Sequence, residues 1–276
     1  KKEKIDITGS AIFALGLVSL LYGFSQLPEW LGIGFTTLGV LSLAFFIRWE
    51  IQIANPILNL VLFKKNRLFS FSNLAALINY SATFAITFFL SLYLQIVKGL
   101  KPYEAGLILL SQPVIQALLS PLTGKLSDKI EPWFLSSFGM AVCVAGLVPF
   151  IYISKETPLL HILLYLAVLG AGFALFSSPN TNAVMSSVGK EHLGVASATI
   201  ATMRIVGQVV SMAIALLLFS FIIGKVQVTS KISEKFIQAM HYGFMIFSSL
   251  CSLGVLFSLA RGRVRHKKKL KSKSKR

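Results

Sequence analysis

Eight stretches of this sequence come close to, or exceed, the roughly 20 residues that a helix needs to cross a bilayer, and together they hold one lysine or arginine, Arg204. They are Gly9 to Gln26, Leu31 to Ile47, Leu68 to Val97, Ala105 to Gly124, Trp133 to Ser154, Thr157 to Gly189, His192 to Gly224 and Phe236 to Ala260. A chain in hydrocarbon must bond every backbone N–H and C=O within itself, which leaves helices and closed barrels. Barrel strands would be about half as long and would alternate polar with apolar residues. The runs therefore predict an all-α polytopic membrane protein with eight spans. Composition agrees, because 13% of the residues are charged against about 25% in soluble globular proteins.

The net charge of +17 raises nucleic-acid binding as a rival function, but its distribution has a simpler reason. With the N-terminus in the cytoplasm, eight spans place Lys1, Lys2, Lys4, Arg48, Lys64, Lys65, Arg67, Lys125, Lys129 and Lys190 on the inner side, together with the ten basic residues of 261–276. The outer side receives Lys98, Lys101, Lys155, Lys225, Lys231 and Lys235. That asymmetry predicts both ends of the chain in the cytoplasm and the cell membrane as the location. The tail "RGRVRHKKKLKSKSKR" reads as a stop-transfer anchor that also touches anionic lipid, so lipid, and no nucleic acid, is the expected partner. The first run follows a basic start, as a signal peptide would, yet it lacks a small-residue cleavage site and seven more runs follow. It reads as a retained helix. The chain begins with Lys1 rather than methionine, which leaves its native start open.

Along the chain, Pro28 and Glu29 mark a short turn between the first two spans. The second span ends in "RWEIQIANPILNLVLFKKNR", an amphipathic basic segment expected at the cytoplasmic surface with Trp49 at headgroup depth. From Leu68 onward six spans follow, joined by connections too short to hold a soluble domain. The expected division is two accessory spans and their connector over 1–67, a six-helix bundle over 68–260 and a basic tail over 261–276. An inverted three-plus-three relation within the last six spans stays open.

Polar side chains inside lipid are costly unless they face protein, water or substrate. At 100° per residue, Asn73, Tyr80, Thr87 and Ser91 of the third span fall within about 20° of one line, with Thr83 and Gln95 beside it. A water-filled cavity or substrate path accounts for a stripe this long, and interhelical hydrogen bonding by small polar groups is the alternative. The seventh span repeats the pattern with Ser197, Arg204, Gln208 and Ser211. Arg204 sits ten residues after Gly194, about 15 Å along a helix, too deep for easy escape to the surface unless the span starts later. In the sixth span, "GAGFALFSSPNTNAVMSSV" carries Pro179, which removes a backbone hydrogen bond and frees carbonyls. Asn180 and Asn182 are cavity candidates there, with a kink holding locally satisfied amides as the alternative. Gly170 and Gly172 would let a neighbouring helix approach closely, and Gln112 and Gln116 beside Pro113 form a weaker polar signal in the fourth span. No carboxylate is expected inside a span. Cys143 and Cys251 lie within spans without metal-ligand spacing and read as small buried residues. His161 and His241 fall near the outer ends, where a structural role is the commoner one.

Between the fourth and fifth spans lies "GKLSDKIEPW". Its Gly124, Leu126, Ser127, Asp128 and Lys129 resemble the loop between the second and third helices of each half of major facilitator superfamily transporters. Glu131 and Pro132 depart from that pattern, where a glycine and a basic residue are usual. The runs "LYLQIVKGLKPYEAGLILLSQPV" and "GAGFALFSSPNTNAVMSSVGKEHLGVASATIATMRIVGQ" are similar to the C-terminal half of the fourteen-helix EmrB/QacA-type drug exporters, and the resemblance covers nearly the whole chain. It implies a major facilitator-type C-terminal six-helix bundle preceded by two extra transmembrane helices, with the N-terminal six helices lying outside this sequence.

The same resemblance implies transport by alternating access: export of amphipathic or cationic organic molecules by proton antiport, with protons bound in the other half. Spans three, six and seven would line the cavity through Asn73, Tyr80, Thr83, Thr87, Ser91, Asn180, Asn182, Arg204 and Gln208. Gly124, Lys125, Asp128 and Lys129 would form a cytoplasmic gating loop, the alternative being a solvated topogenic loop. Pro132 suits the first turn of the fifth helix, and Asp128 and Glu131 lie near its positive end. No catalytic residue, metal or cofactor is expected. His161, His192 and His241 lack acidic partners in sequence, which argues against a lipid-processing enzyme. A non-transporting truncated half or assembly partner is the remaining rival.

Overall fold

The computed structural model describes residues 6–53, 60–224 and 233–261, and all regular structure among them is helical. The apolar runs become eight helical spans: Ile7–Gln26, Trp30–Gln52, Arg67–Val97, Pro102–Lys129, Pro132–Tyr152, Leu159–Ser186, Lys190–Ile223 and Ser233–Ala260. Most outlast the uncharged runs, because adding a residue to an existing helix gains one hydrogen bond without a new nucleus. This corrects the expectation that spans exclude carboxylates. The second helix passes the expected end at Ile47, and Glu50, only 4% exposed, lies within it.

The "GKLSDK" segment also differs from its expected loop. The fourth span stays helical through Lys129, and only Ile130 and Glu131 separate it from the next helix, which has Pro132 in its first turn. Proline pushes the residue before it out of the helical region, and Glu131 is accordingly extended at φ −59°, ψ 125°. The chain has to stop its helix just ahead of that point.

Two spans contain interruptions. In the fourth, Pro102–Leu109 and Ser111–Lys129 meet at Leu110, because Pro113 has no N–H and its ring crowds the carbonyl four residues back, on Leu109. In the third, Arg67–Thr83 gives way to Ala85–Leu92 at Phe84. There Thr83 Oγ1 donates to the Asn79 carbonyl at 2.6 Å, and the Ala85 N–H donates to Ser211 Oγ of the seventh span at 2.9 Å. The sixth span, in contrast, runs unbroken through Pro179. Pro179 deprives the Leu175 carbonyl of its helical partner, and Thr123 of the fourth span donates to the adjacent Ala174 carbonyl at 2.8 Å.

Glycines set the spacing between helices. Lipid tails are as apolar as leucine, so helices in a membrane associate by close packing at small residues. A Cβ on Gly139 of the fifth span would lie 2.5 Å from the Phe176 nitrogen of the sixth, and one on Gly172 would lie 2.8 Å from the Cys143 nitrogen. Gly16, Gly23 and Gly39 close the hairpin of the first two spans in the same way. That hairpin packs mainly on itself and touches the seventh span, where Ser220 Oγ donates to the Leu27 carbonyl at 2.5 Å. At the end opposite the basic residues, Phe89, Phe150, Phe219, Phe244 and Phe247 form an aromatic cluster.

At the basic end, Arg261 requires the largest correction. Its position opens the basic tail that reads as a lipid-touching anchor, yet it is 1% exposed. Its Nη1 donates to Asn180 Oδ1 at 2.7 Å and Ser72 Oγ at 3.3 Å. Its Nε donates to the Ser258 carbonyl at 3.0 Å, and Nη2 donates to Ser258 Oγ. Ser137 Oγ in turn donates to Ser258 Oγ at 2.8 Å. One guanidinium thus ties together spans three, five, six and eight. Burial lowers its pKa to about 9, which leaves it protonated at neutral pH.

Two predictions follow from this packing. Gly139→Ala should cost about 1–3 kcal/mol through overpacking, whereas Gly34→Ala, with nothing within 4 Å of its added carbon, should leave the thermal midpoint unchanged or slightly higher. Arg261→Ala should lower the midpoint further, because each buried acceptor left without a partner costs about 1–3 kcal/mol. Arg261→Lys should recover only part of the loss, since an ammonium cannot reproduce the fork of donors. Thermal unfolding in detergent, followed by tryptophan fluorescence, reads all four variants.

Candidate functional site

Gly207 of the seventh span lies against the third: a Cβ there would sit 2.6 Å from the Leu77 carbonyl oxygen and 2.8 Å from Tyr80 Cβ. This contact carries the residue one turn earlier, Arg204, over the Tyr80 ring, with the guanidinium carbon 5.3 Å from the ring centre. The quadrupole of an aromatic face attracts a cation placed this way. Tyr80 also meets Phe173 of the sixth span at 6.3 Å between ring centres. Between spans three, six and seven, Tyr80 and Arg204 line a narrow crevice with Phe176, Ser177, Asn180 and Thr181, too tight for a water-sized sphere.

Arg204 stands near the middle of a 26-residue helix that begins at Leu193. It is exposed, and among the described residues it forms no ion pair. Asn180 is oriented from behind, since its Oδ1 accepts from Arg261 and its Nδ2 donates to the Ser72 carbonyl at 3.1 Å. The Arg261 network therefore positions the back wall of the crevice.

The other expected cavity residues are dispersed. Asn73 is fully buried, with Nδ2 donating to the Phe69 carbonyl at 2.9 Å and Oδ1 without a partner among the described residues. Thr83 is buried and bonded within its helix, and Thr87 is exposed. Ser91 accepts from Gln95 at 3.0 Å, both being half-buried. Gln208, half-buried, lies one turn beyond Arg204. Asn182 Nδ2 donates to Ser127 Oγ at 2.6 Å and ties the sixth span to the fourth. Along the third span these residues meet different neighbours, from the buried Asn73 and Thr83 to the exposed Thr87. At the helical end of "GKLSDK", a Cβ on Gly124 would meet Ser178 Oγ at 3.2 Å, while Lys125, Asp128 and Lys129 are exposed.

Three polar features were not anticipated. Arg261 is one, and another is the bond by which Ser211, already on the polar face of the seventh span, caps the interruption in the third. The third is Asn79, fully buried with neither amide atom hydrogen-bonded among the described residues and with the Cys143 thiol beside it. An asparagine at mid-span was a signal by itself, but Asn79 lies off the line that drew attention to its neighbours. His241 has a structural contact, its Nε2 lying 2.7 Å from the Ile153 carbonyl oxygen.

The family model for the Major Facilitator Superfamily matches residues 7–212. The chain is 25% identical over 260 residues to the riboflavin transporter RibZ of Clostridioides difficile, covering 94% of this chain and 56% of that protein. It is 30% identical over 212 residues to the uncharacterized transporter YebQ of Escherichia coli, covering 75% and 46%. Against the multidrug resistance protein Stp of Mycobacterium tuberculosis it is 25% identical over 222 residues, covering 78% and 40%. The chain spans about half the length of the curated relatives it matches. With eight helices among the described residues able to cross a membrane and a match over most of its length, this integral membrane protein belongs to the Major Facilitator Superfamily.

Proposed function

We propose that this chain is the C-terminal part of a fourteen-helix exporter of the EmrB/QacA type, which moves small amphipathic organic molecules out of the cell by proton antiport. In this reading residues 1–67 supply the two extra spans and their connector, and 68–260 the second six-helix bundle. Both ends of the chain lie in the cytoplasm, and proton coupling resides in the bundle outside this sequence. The observation that carries the reading is the crevice between spans three, six and seven, where the charge at mid-span meets Tyr80 and Asn180. A family protein named for multidrug resistance, Stp of Mycobacterium tuberculosis, supports export of organic solutes as the activity class.

Exposure supports the two-bundle arrangement. In their most apolar windows the fourth span is 6% buried and the seventh 22%, against 56% for the third. A second bundle packed on spans four and seven would cover those faces, and rocking between the two would open the crevice to each side in turn. Asn73, Thr83, Thr87, Ser91, Asn182 and Gln208 then extend the path or its walls as the helices shift. The exposed Lys125, Asp128 and Lys129 beside Gly124 act as the cytoplasmic gate, making contacts across the bundles that break when the site opens inward.

Everted vesicles containing the full-length protein provide the test. The neutral amphipathic dye Nile red should accumulate under an imposed proton gradient and stop doing so when a protonophore is added. Asp128→Asn should slow that uptake several-fold at equal protein level. Uptake of neither Nile red nor the carboxylate dye fluorescein above control vesicles would overturn the transport reading, and wild-type rates in Asp128→Asn would remove the gate.

A further inference from the structure

We propose that the crevice of Tyr80 and Arg204 is an anion-recognition site, which takes the carboxylate of an amphipathic substrate. This deepens the transport reading and rests on it. Arg204 lies near the middle of its helix, where a full charge is kept only if something compensates it. Among the described residues every carboxylate lies at a helix end or in a connection. None forms an ion pair with Arg204, and no group among the described residues accepts a hydrogen bond from it. The face of Tyr80 balances the charge in part. A guanidinium has five N–H donors set in a fork that fits a carboxylate, and none of the five is taken up among the described residues.

The rest of the crevice has the same polarity. The amide oxygen of Asn180 is turned toward Arg261, from which it accepts at 2.7 Å, and Arg261 adds a second positive charge behind it. Ser177 brings a hydroxyl that can donate to an oxyanion, while the Thr181 hydroxyl donates to the Ser177 carbonyl at 2.9 Å and lines the wall. Phe176, with Phe173 against Tyr80, supplies apolar surface for the body of the substrate. This site favours the amphipathic over the cationic alternative, because a cation entering here would meet Arg204 with no carboxylate beside it among the described residues. In the closed crevice the Tyr80 ring covers one face of the guanidinium, and the substrate carboxylate takes up the free donors when the helices part.

Binding to the purified full-length protein tests this separately from transport. Fluorescein binding is followed by polarisation, with deoxycholate and 1-naphthoate as carboxylate competitors and ethidium as the cationic control. Fluorescein should bind, both carboxylates should displace it and ethidium should not. Arg204→Gln should weaken binding at least tenfold, with Arg204→Lys in between, both at a wild-type thermal midpoint. Absence of carboxylate binding, or equal affinity in Arg204→Gln, overturns the site. So does a collapse of the midpoint in Arg204→Gln, which would make an acidic side chain of another bundle the partner of Arg204. Carboxylate binding by wild type without dye flux in vesicles would instead leave the anion site standing and overturn the transport reading.

Discussion

The fifth and sixth spans cross so closely at Gly139 and Gly172 that a single added methyl would reach backbone on the other side, and the position of the crevice depends on that distance. In lipid there is little hydrophobic gain from pressing one apolar helix on another, so helices are held by contact and by hydrogen bonds that need backbone-level approach. The sixth span is fixed on its other flank too, where a Cβ on Gly170 would lie 2.5 Å from the Gln112 carbonyl oxygen of the fourth. With that span located, Asn180 falls beside Ser72 and Arg261. Gly207 does the same for the seventh span against the third and brings Arg204 onto Tyr80. The polar contacts follow from the small residues, not the reverse.

This order explains which parts of the structure could be read from sequence. The spans were legible because their cause is local: each apolar run must bond its own backbone, whatever surrounds it. Pro132 in a first turn and the hairpin at Pro28 were legible for the same reason. Glu50 was missed because helix ends are set by where packing and headgroups stop supporting the helix, not by where hydropathy falls. The "GKLSDK" segment was placed in a loop for a related reason, since its charges hid a helix that continues to Lys129. Of the polar line on the third span, only Tyr80 reaches the crevice. Its angle was calculable, but its surroundings depend on a helix more than 100 residues away in sequence. Arg261 was the hardest, because a basic residue beginning a run of basic residues looks solvated. Its four hydrogen-bonding partners emerge only once spans three, six and eight are assembled.

Arg204 and Arg261 present the same chemical group in two conditions. Arg261 is buried and surrounded by neutral oxygens, so its donors are used and its position is fixed. That arrangement holds four spans at the basic end, and removing it would leave several acceptors unpaired at once. Arg204 has an aromatic face and no acceptor among the described residues, an arrangement that costs little to rearrange because a cation–π contact has broad geometry. A side chain that must release and rebind during a cycle belongs in the second condition. One that keeps the helices in register belongs in the first.

The third span joins these two environments. Its Arg67–Thr83 part is tied at the basic end, through Ser72 to Asn180 and Arg261 and through the Arg67 Nε bond to the Ala260 carbonyl at 3.1 Å. Its Ala85–Val97 part is held by Phe89 and its aromatic neighbours, and by Tyr93 donating to the Ser154 carbonyl at 2.6 Å. Between them the ladder gives up one bond, and Ser211 of the seventh span takes the Ala85 N–H. Tyr80 stands one turn before this junction, on the same helix pair that carries Arg204. A shift of the seventh span would therefore act on the junction through Ser211 and on the crevice through Gly207 together. The two ends of the third span, anchored to different partners, would resist following it.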